Sequence, residues 1–358
     1  MKNLKNWKTW VKFILAGIVA ALTVYTYPTM KLFMPLFVAG ISLIYFRKHF
    51  WRLAALCVIF LAIISPIFYL TLKDPAKYNA RYSSTSIANT GENVVVGVVE
   101  RYVEYFTPAF AFGYGDPDTM HKVPAFSSIP EVLGLFFYLG LAIFAFRLIR
   151  KKSSKFEHSN EMYVILLGTL LFPLAASITA DRLMLLRTVH GFIFITFFIV
   201  LGVKYLFEYI QYRKIKLLIV LILVMMCMVN LITFMAYYTI RYKEDAKASF
   251  NYGLKETFEY VNQNDEKYSN IIVDREIMQI YYLFYSQYDA NKLHEVSEPN
   301  KFKSFENGKV IFKELTPRDL RGFKLVKVVE DDKRVWYAVY CKGDTLVVRK
   351  VTQYKTGV

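Results

Sequence analysis

Six basic side chains could together hold an anion such as a phosphate, if they share one side of a membrane. They are Lys31, Arg81, His121, Lys122, Arg182 and Arg187. An anion that enters a partly desolvated site must be paired, because an unpaired buried charge is strongly unfavourable. For any one of the six alone, snorkelling to the interface or packing within a loop is the more usual role, and only the cluster points to an anion site. Arg182 and Arg187 stand out, since their short loop, 180–188, contains only Asp181 to neutralise them.

Five carboxylates between the third and fourth apolar stretches could act as a general base toward an acceptor hydroxyl. They are Glu92, Glu100, Glu104, Asp116 and Asp118. Asp116 is the best candidate, because Gly113 and Gly115 allow close backbone approach and His121 is near in sequence. The run Gly-Asp-Pro-Asp is also an ordinary turn sequence. We therefore expect none of the five to be the chemical base, and the dispersed histidines and cysteines predict no metal site.

Seven apolar stretches would carry these residues, and each approaches the length that crosses a bilayer as a helix. They cover residues 11–25, 31–46, 53–72, 132–146, 162–179, 189–207 and 217–238. A hydrocarbon core of about 30 Å needs roughly 20 apolar residues in helical conformation. The stretches therefore predict a polytopic α-helical membrane protein with about seven transmembrane helices.

The loops between these stretches are alternately rich and poor in Lys and Arg, and this alternation predicts the orientation. Basic residues lie before the first stretch and after the second, fourth and sixth. Cationic loops stay in the cytoplasm during insertion. The N-terminus is therefore predicted inside, and the C-terminus outside. Much of the formal net charge of +16 lies in these short loops, which argues against nucleic acid as a partner.

The chain changes character after residue 241, where charged residues become frequent and apolar runs shrink to strand length. Helices are predicted over 252–261 and 276–285, and strands over 270–274, 310–312, 325–329, 335–341 and 345–351. Two domains follow from this change. Residues 1–241 form a transmembrane domain with the outer loop 73–130, and residues 242–358 form an extracytoplasmic α/β domain.

Residues 93–106 of the outer loop have the periodicity of an amphipathic helix. Val95, Val98, Val99 and Tyr102 form its apolar stripe, and Arg101 lies away from that stripe. Such a helix would lie in the membrane interface.

Five sets of residues, in their order along the chain, carry a resemblance to a known family. They are Tyr25-x-Tyr27 with Lys31-Leu-Phe-x-Pro35-Leu36; Asp74-Pro75 with Arg81; Tyr105-Phe-Thr-Pro-Ala-Phe-x-Phe-Gly-x-Gly115-Asp116; His121 with Pro124 and Phe126; and Leu171-Phe-Pro173-x-Ala-Ala-x-x-Thr179 with Arg187. In this order they resemble the C-terminal half of GT-C membrane glycosyltransferases, the relatives of bacterial aminoarabinose transferases and protein O-mannosyltransferases. The resemblance covers the membrane part and, more weakly, the start of the terminal domain.

The resemblance implies part of a glycosyltransferase that uses a polyprenyl-phosphate sugar on the outer face of the bacterial plasma (inner) membrane. In that family the catalytic carboxylate, and the divalent metal where one is used, belong to an N-terminal half that this pattern lacks. The chain alone is therefore expected to be inactive and to need no cofactor of its own. Its implied partners are the sugar donor, membrane lipids and a separate N-terminal half or partner glycosyltransferase.

The resemblance also implies roles for individual residues, and it leaves an alternative open. Lys31, Arg81, His121, Arg182 and Arg187 would bind the lipid phosphate or its sugar. The alternative is a non-catalytic accessory membrane protein that binds the lipid carrier. A transporter is the weakest hypothesis, since the apolar stretches lack charged residues that would mark a polar pathway.

Overall fold

The structure is a computed structural model that divides the chain into two compact units, Met1–Tyr242 and Lys243–Val358. It describes residues 2–113, 115–116, 118–149, 159–274, 277, 279–287, 289, 304–305, 309–316 and 318–354, without the side chains of residues 2–6, 80, 81, 304, 305, 352 and 354.

The first unit is mostly helical in its described part. Its helices are α1 (Lys2–Thr26), α2 (Met30–Lys73), α3 (Pro75–Tyr78), α4 (Ala80–Thr85), α5 (Val94–Glu104), α6 (Pro108–Ala111), α7 (Val132–Ile149), α8 (Asn160–Leu171), α9 (Leu174–Ser177), α10 (Leu185–Thr188), α11 (Phe192–Tyr209) and α12 (Arg213–Ile240), with short 3-10 turns at Ile87–Thr90 and Val189–Gly191. Among the described residues, six helical stretches are long and apolar enough to cross a membrane, namely Trp7–Thr26, Met30–Lys73, Val132–Ile149, Asn160–Ser177, Leu185–Tyr209 and Arg213–Ile240. The expectation of a mostly helical chain with several apolar spans is confirmed.

Helix α2 contains two of the seven predicted stretches, and it folds back on itself between them. Its 44 residues are interrupted at His49, whose φ of −140° and ψ of 29° are not helical. The Ser42 hydroxyl lies 3.3 Å from the Cys57 sulfur. In a straight helix, 15 residues would separate such atoms by about 22 Å. The two halves of α2 are therefore antiparallel neighbours, as two separate stretches would be.

Helices α7 and α11 pack with their backbones in contact. Gly140 of α7 faces the Phe198 carbonyl oxygen, and Gly202 of α11 faces the Phe136 carbonyl oxygen. A Cβ at either glycine would overlap that oxygen. Small residues at a helix crossing allow such close approach in an apolar environment. Around this pair, the core is dominated by aromatic rings, including the fully buried Phe198.

Loops of the first unit gather at two ends. The loop end comprises residues 27–29, 74–131 and 178–188, which are tied together by backbone contacts such as the bridge between Ser86 and Thr179. The basic end comprises residues 47–52, 159–161 and 208–213, where Arg147 forms an ion pair with Glu208 at 2.7 Å. The helices thus separate the loops into two groups.

Helix α5, at the loop end, turns Arg101 inward and most of its valines outward. The Asn93 side chain caps it by accepting hydrogen bonds from the backbone N–H groups of Val95 and Val96. Arg101 is only 2% exposed, whereas Val95 and Val99 are 73% and 57% exposed. The predicted helix is present, but its predicted apolar stripe packs only in part: Tyr102 donates to the Leu170 carbonyl, whereas Val95 and Val99 face outward.

The second unit is built around one mixed sheet. Its elements are α13 (Tyr242–Asp245), which begins at the boundary, α14 (Leu254–Gln263), α15 (Gln279–Tyr285), β1 (Asn270–Asp274), β2 (Ser304–Phe305), β3 (Val310–Lys313), β4 (Lys324–Glu330), β5 (Arg334–Lys342) and β6 (Thr345–Tyr354), with a 3-10 turn at Asp265–Lys267. The strand order is β2-β3-β1-β6-β5-β4, and β1 pairs in parallel with both β3 and β6. Phe258 of α14 and Val273 of β1 are fully buried in the core of this unit. A small terminal sheet domain is therefore confirmed.

Candidate anion-binding site

The first cavity lies at the loop end of the helical unit and has a volume of about 320 Å³. It is lined by Tyr27, Pro28, Thr29, Lys31, Leu32, Tyr78, Asn79, Tyr82, Thr85, Ala175, Ile178, Thr179 and Arg187. Two of these side chains are cationic, and none of the described lining residues is a carboxylate. The lining alone therefore favours an anionic ligand.

Four segments of the chain meet at this cavity, each fixed by local hydrogen bonds. The turn between α1 and α2 is closed by a hydrogen bond from the Met30 N–H to the Tyr27 carbonyl at 3.0 Å. Helix α3 begins at a proline, and the Asp74 side chain accepts a hydrogen bond from the Lys77 N–H. Helix α9 and its end supply Ala175, Ile178 and Thr179, and α10 supplies Arg187. The site is thus assembled from segments far apart in sequence.

Arg187 is the cation held most firmly in the first cavity. Its side chain is only 9% exposed, and Nη2 donates to the Asp181 carboxylate at 2.7 Å. Nη1 donates to the Thr179 hydroxyl, which in turn donates to the Ala176 carbonyl. This network orients the guanidinium in advance, which lowers the cost of binding a ligand. Because the Asp181 side chain is 48% exposed, water weakens its neutralising effect.

Lys31 and Thr29 contribute polar groups without an internal partner. Among the residues that the structure describes, the Lys31 ammonium has no ion-pair partner and the buried Thr29 hydroxyl has no hydrogen-bond partner. A buried hydroxyl without a partner is unfavourable unless a ligand or water completes it. Both residues line the first cavity. They therefore provide donors for a ligand.

The neutral part of the lining contains three tyrosines, Tyr27, Tyr78 and Tyr82. Tyr78 and Tyr82 flank Asn79 at the junction of α3 and α4 and are partly exposed. Tyrosine combines an apolar ring with a polar hydroxyl, which suits a ligand with both characters. The first cavity can thus accommodate an anion attached to a sugar ring or an apolar chain.

The structure distributes the predicted site residues over three places. Lys31 and Arg187 meet in the first cavity. The backbone of Arg81 lies in α4 beside the lining residue Tyr82, and its side chain lies outside the described part of the chain. Arg182 instead pairs with Glu104 and with Glu100 at 3.5 Å.

His121 lies in a separate cluster with Asp116, the weak candidate for a base. Asp116 is 6% exposed, and its Oδ2 accepts a hydrogen bond from the Leu185 N–H at 2.8 Å. Its Oδ1 accepts from the Asp118 N–H at 2.9 Å, and Oδ2 lies 3.4 Å from Nδ1 of His121. Both oxygens are therefore engaged in holding the loop onto α10. Asp116 is absent from the described lining of the first cavity.

Burial and ion pairing shift the pKa values of several groups at the loop end. Burial lowers the pKa of Lys122, and the nearby Asp116 carboxylate acts in the opposite direction. The hydrogen bond from Arg101 lowers the pKa of Glu92. Burial raises the pKa of Tyr105, so its hydroxyl stays neutral and accepts a hydrogen bond from the Met184 N–H at 3.0 Å. These groups have structural roles.

Sequence reasoning missed Thr29, Tyr78 and Tyr82 as lining residues. Their only signal is the turn chemistry of Pro28 and of Asp74-Pro75, which predicts chain reversals but not where they meet.

Within the described residues, no group of three or more His, Cys, Asp or Glu side chains could hold a metal ion. Comparisons of the chain with known protein families, with curated proteins and with solved structures found no match.

Proposed function

We propose that the chain is an integral protein of the bacterial plasma membrane that binds a polyprenyl-phosphate sugar at its outer face. In this proposal the first cavity holds the phosphate, with its sugar or the start of its chain against the tyrosines. The chain would supply the carrier-binding part of a GT-C glycosyltransferase. Its N-terminus would lie inside and its terminal domain outside.

The proposal is carried by one observation: Lys31 and Arg187 line the same cavity, and no carboxylate is among its described lining residues. Arg187 is preoriented by Thr179 and Asp181. Charge-assisted hydrogen bonds from Arg and Lys are the usual means of holding phosphate. The aromatic lining is compatible with a phosphate that carries a sugar.

The chain is proposed to act without a chemical base of its own. The best sequence candidate, Asp116, has both oxygens engaged by backbone N–H groups and is not among the described lining residues of the first cavity. This favours a part that depends on a catalytic partner, or an accessory protein that only binds the carrier. Sugar transfer by the purified chain, abolished in Asp116→Asn, would contradict both.

The binding test measures the affinity of the full chain in nanodiscs for a short-chain polyprenyl phosphate. Hydrogen bonds to charged groups contribute about 1.5 to 3 kcal/mol each. We therefore expect Arg187→Ala and Arg81→Ala to weaken binding by roughly ten- to a hundredfold. Lys122→Ala is the matched control, because Lys122 does not line the first cavity.

Lys31→Ala separates a loss of binding from a loss of folding. Lys31 has no internal partner in the described part of the chain, so its loss should leave the thermal unfolding midpoint unchanged while weakening binding. Parent-like affinity in Lys31→Ala and Arg187→Ala together would show that the phosphate site is elsewhere.

Orientation is tested separately with a reporter fused after Val358. Because the basic residues gather at the opposite end of the helical unit from the first cavity, the fusion should be active only outside the cytoplasm. Insertion of the same reporter between residues 150 and 158, where the sequence is rich in Lys and Arg, is the control and should be active inside. A cytoplasmic signal from the terminal fusion would contradict the proposed orientation.

A further inference from the structure

A second cavity, also of about 320 Å³, lies elsewhere at the loop end and shares no lining residue with the first. It is lined by His121, Lys122, Val123, Phe126, Ser127, Ser128, Leu185, Val189, Phe192 and Phe234. One part of this lining is polar and comes from the loop 121–128. The other part is aromatic and aliphatic and comes from α10 to α12.

The polar part presents hydrogen-bonding groups that the protein itself does not use. The Ser127 and Ser128 hydroxyls are buried and have no hydrogen-bond partner within the described residues. Two such hydroxyls on one short loop are costly unless a ligand or solvent completes them. The loop therefore offers a cluster of groups that can both donate and accept.

The charges at this cavity compensate one another, which separates it from the first. The Lys122 ammonium donates to the Gly113 carbonyl at 2.8 Å. The Asp116 and Asp118 carboxylates lie 3.4 Å and 3.7 Å from Nδ1 of His121. Two carboxylates against one lysine and one histidine leave no net positive charge. The second cavity therefore disfavours an anionic ligand, and its uncharged serine hydroxyls favour a neutral one.

The apolar part continues onto surface that is itself apolar. The Phe126 ring meets the Phe234 ring edge to face at 5.4 Å. Val189, which lines the cavity, is 56% exposed, and Ile193 one turn later is 69% exposed. In a helix long enough to cross a membrane, such exposed side chains meet lipid chains. A ligand in the second cavity would extend an apolar tail along this surface.

The loop that carries the hydroxyls is held in a conformation that its sequence does not favour. Ala125 has a φ of 65°, in the left-handed region that L-residues other than Asn and Asp avoid. Such backbone strain is concentrated at functional sites, where it fixes side chains in advance. Here it lies between Lys122 and the two serines.

We infer that the second cavity binds the hydroxyl-rich headgroup of a neutral glycolipid. The serine hydroxyls and His121 would exchange hydrogen bonds with sugar hydroxyls, and Phe126 and Phe192 would cover the apolar face of the ring or the first carbons of the lipid. The inference is independent of phosphate binding in the first cavity.

The probe is a diacylglycerol that carries one hexose, added to the detergent-solubilised full chain, with retained lipid counted by native mass spectrometry. Neutral hydrogen bonds are weaker than charged ones, so the double variant Ser127→Ala with Ser128→Ala should lower the apparent affinity about tenfold. Lys31→Ala, in the first cavity, should retain the lipid like the parent. Polyprenyl phosphate should not displace it.

Two further arms use the parent protein and so do not depend on how a variant folds. The same lipid with all headgroup hydroxyls methylated should be retained at least tenfold less. Phosphatidic acid with the same acyl chains should compete poorly. Equal retention of the methylated lipid, equal retention by the double serine variant, or stronger binding of phosphatidic acid would each overturn the inference.

Discussion

The two cavities of the helical unit are built from similar side chains but differ in how their charges are compensated. In the first, Lys31 has no described partner and Arg187 faces a half-exposed aspartate. In the second, Asp116 and Asp118 lie within 4 Å of His121. The basic residues alone thus do not determine ligand charge. The burial and position of the neighbouring carboxylates decide it.

Removal of the buried carboxylate should make the second cavity resemble the first. Asp116→Asn removes the carboxylate nearest to His121, which also acts on the Lys122 ammonium, and Asn retains one oxygen that can accept the Leu185 N–H. Two unit charges about 4 Å apart interact by roughly 4 kcal/mol near a protein surface. We expect affinity for a short-chain phosphatidic acid to rise about tenfold, as measured by native mass spectrometry.

Asp181→Asn is the matched control in the first cavity. Its carboxylate is 48% exposed, so water already screens it and phosphate affinity there should rise only about twofold. The gain in Asp116→Asn should disappear when Lys122→Ala is added. An unchanged affinity in Asp116→Asn would mean that charge compensation is not what separates the cavities.

A smaller effect is expected from the strained loop of the second cavity. Glycine adopts the left-handed region without the steric cost that alanine has there, although it also makes the unfolded chain more flexible. Ala125→Gly should therefore stabilise the protein by about 0.5 kcal/mol, seen as a higher thermal unfolding midpoint. Phosphate affinity of the first cavity should not change.

The control for this substitution is Ala109→Gly in α6, where the backbone is helical. There the same change should destabilise the protein by about 0.5 to 1 kcal/mol. If both variants moved the midpoint in the same direction, Ala125 would not be under strain.

Elements with strong local patterns were predicted closely from the sequence. Strand β1 has the predicted bounds, 270–274, and the turn at Lys342-Gly343-Asp344 joins β5 to β6 as expected. The seven apolar stretches also correspond to helices, since α2 folds back at His49. Apolar periodicity and turn residues carry these features locally.

Only Lys31 and Arg187 of the predicted binding residues are among the described lining residues of the first cavity, because tertiary contacts decide which charges remain available. Sequence reasoning considered only Asp181 as a neutralising partner in the loop 180–188. The structure adds Glu100 and Glu104, which are about 80 residues earlier and pair with Arg182. Thr29 could not be predicted for a similar reason. Its hydroxyl is a candidate ligand donor only because it is buried without a hydrogen-bond partner among the described residues.

Helix α5 extends the exposed apolar surface of the protein beyond the long helices. Its buried Arg101 donates to the Ala180 carbonyl at 3.2 Å, so the helix cannot roll its valines inward without leaving a guanidinium unpaired. The exposed valines of α5, namely Val95, Val96, Val99 and Val103, therefore stay on the protein surface. During purification, a detergent belt that covers only the long helices would leave these valines exposed to water. The protein would then self-associate through them.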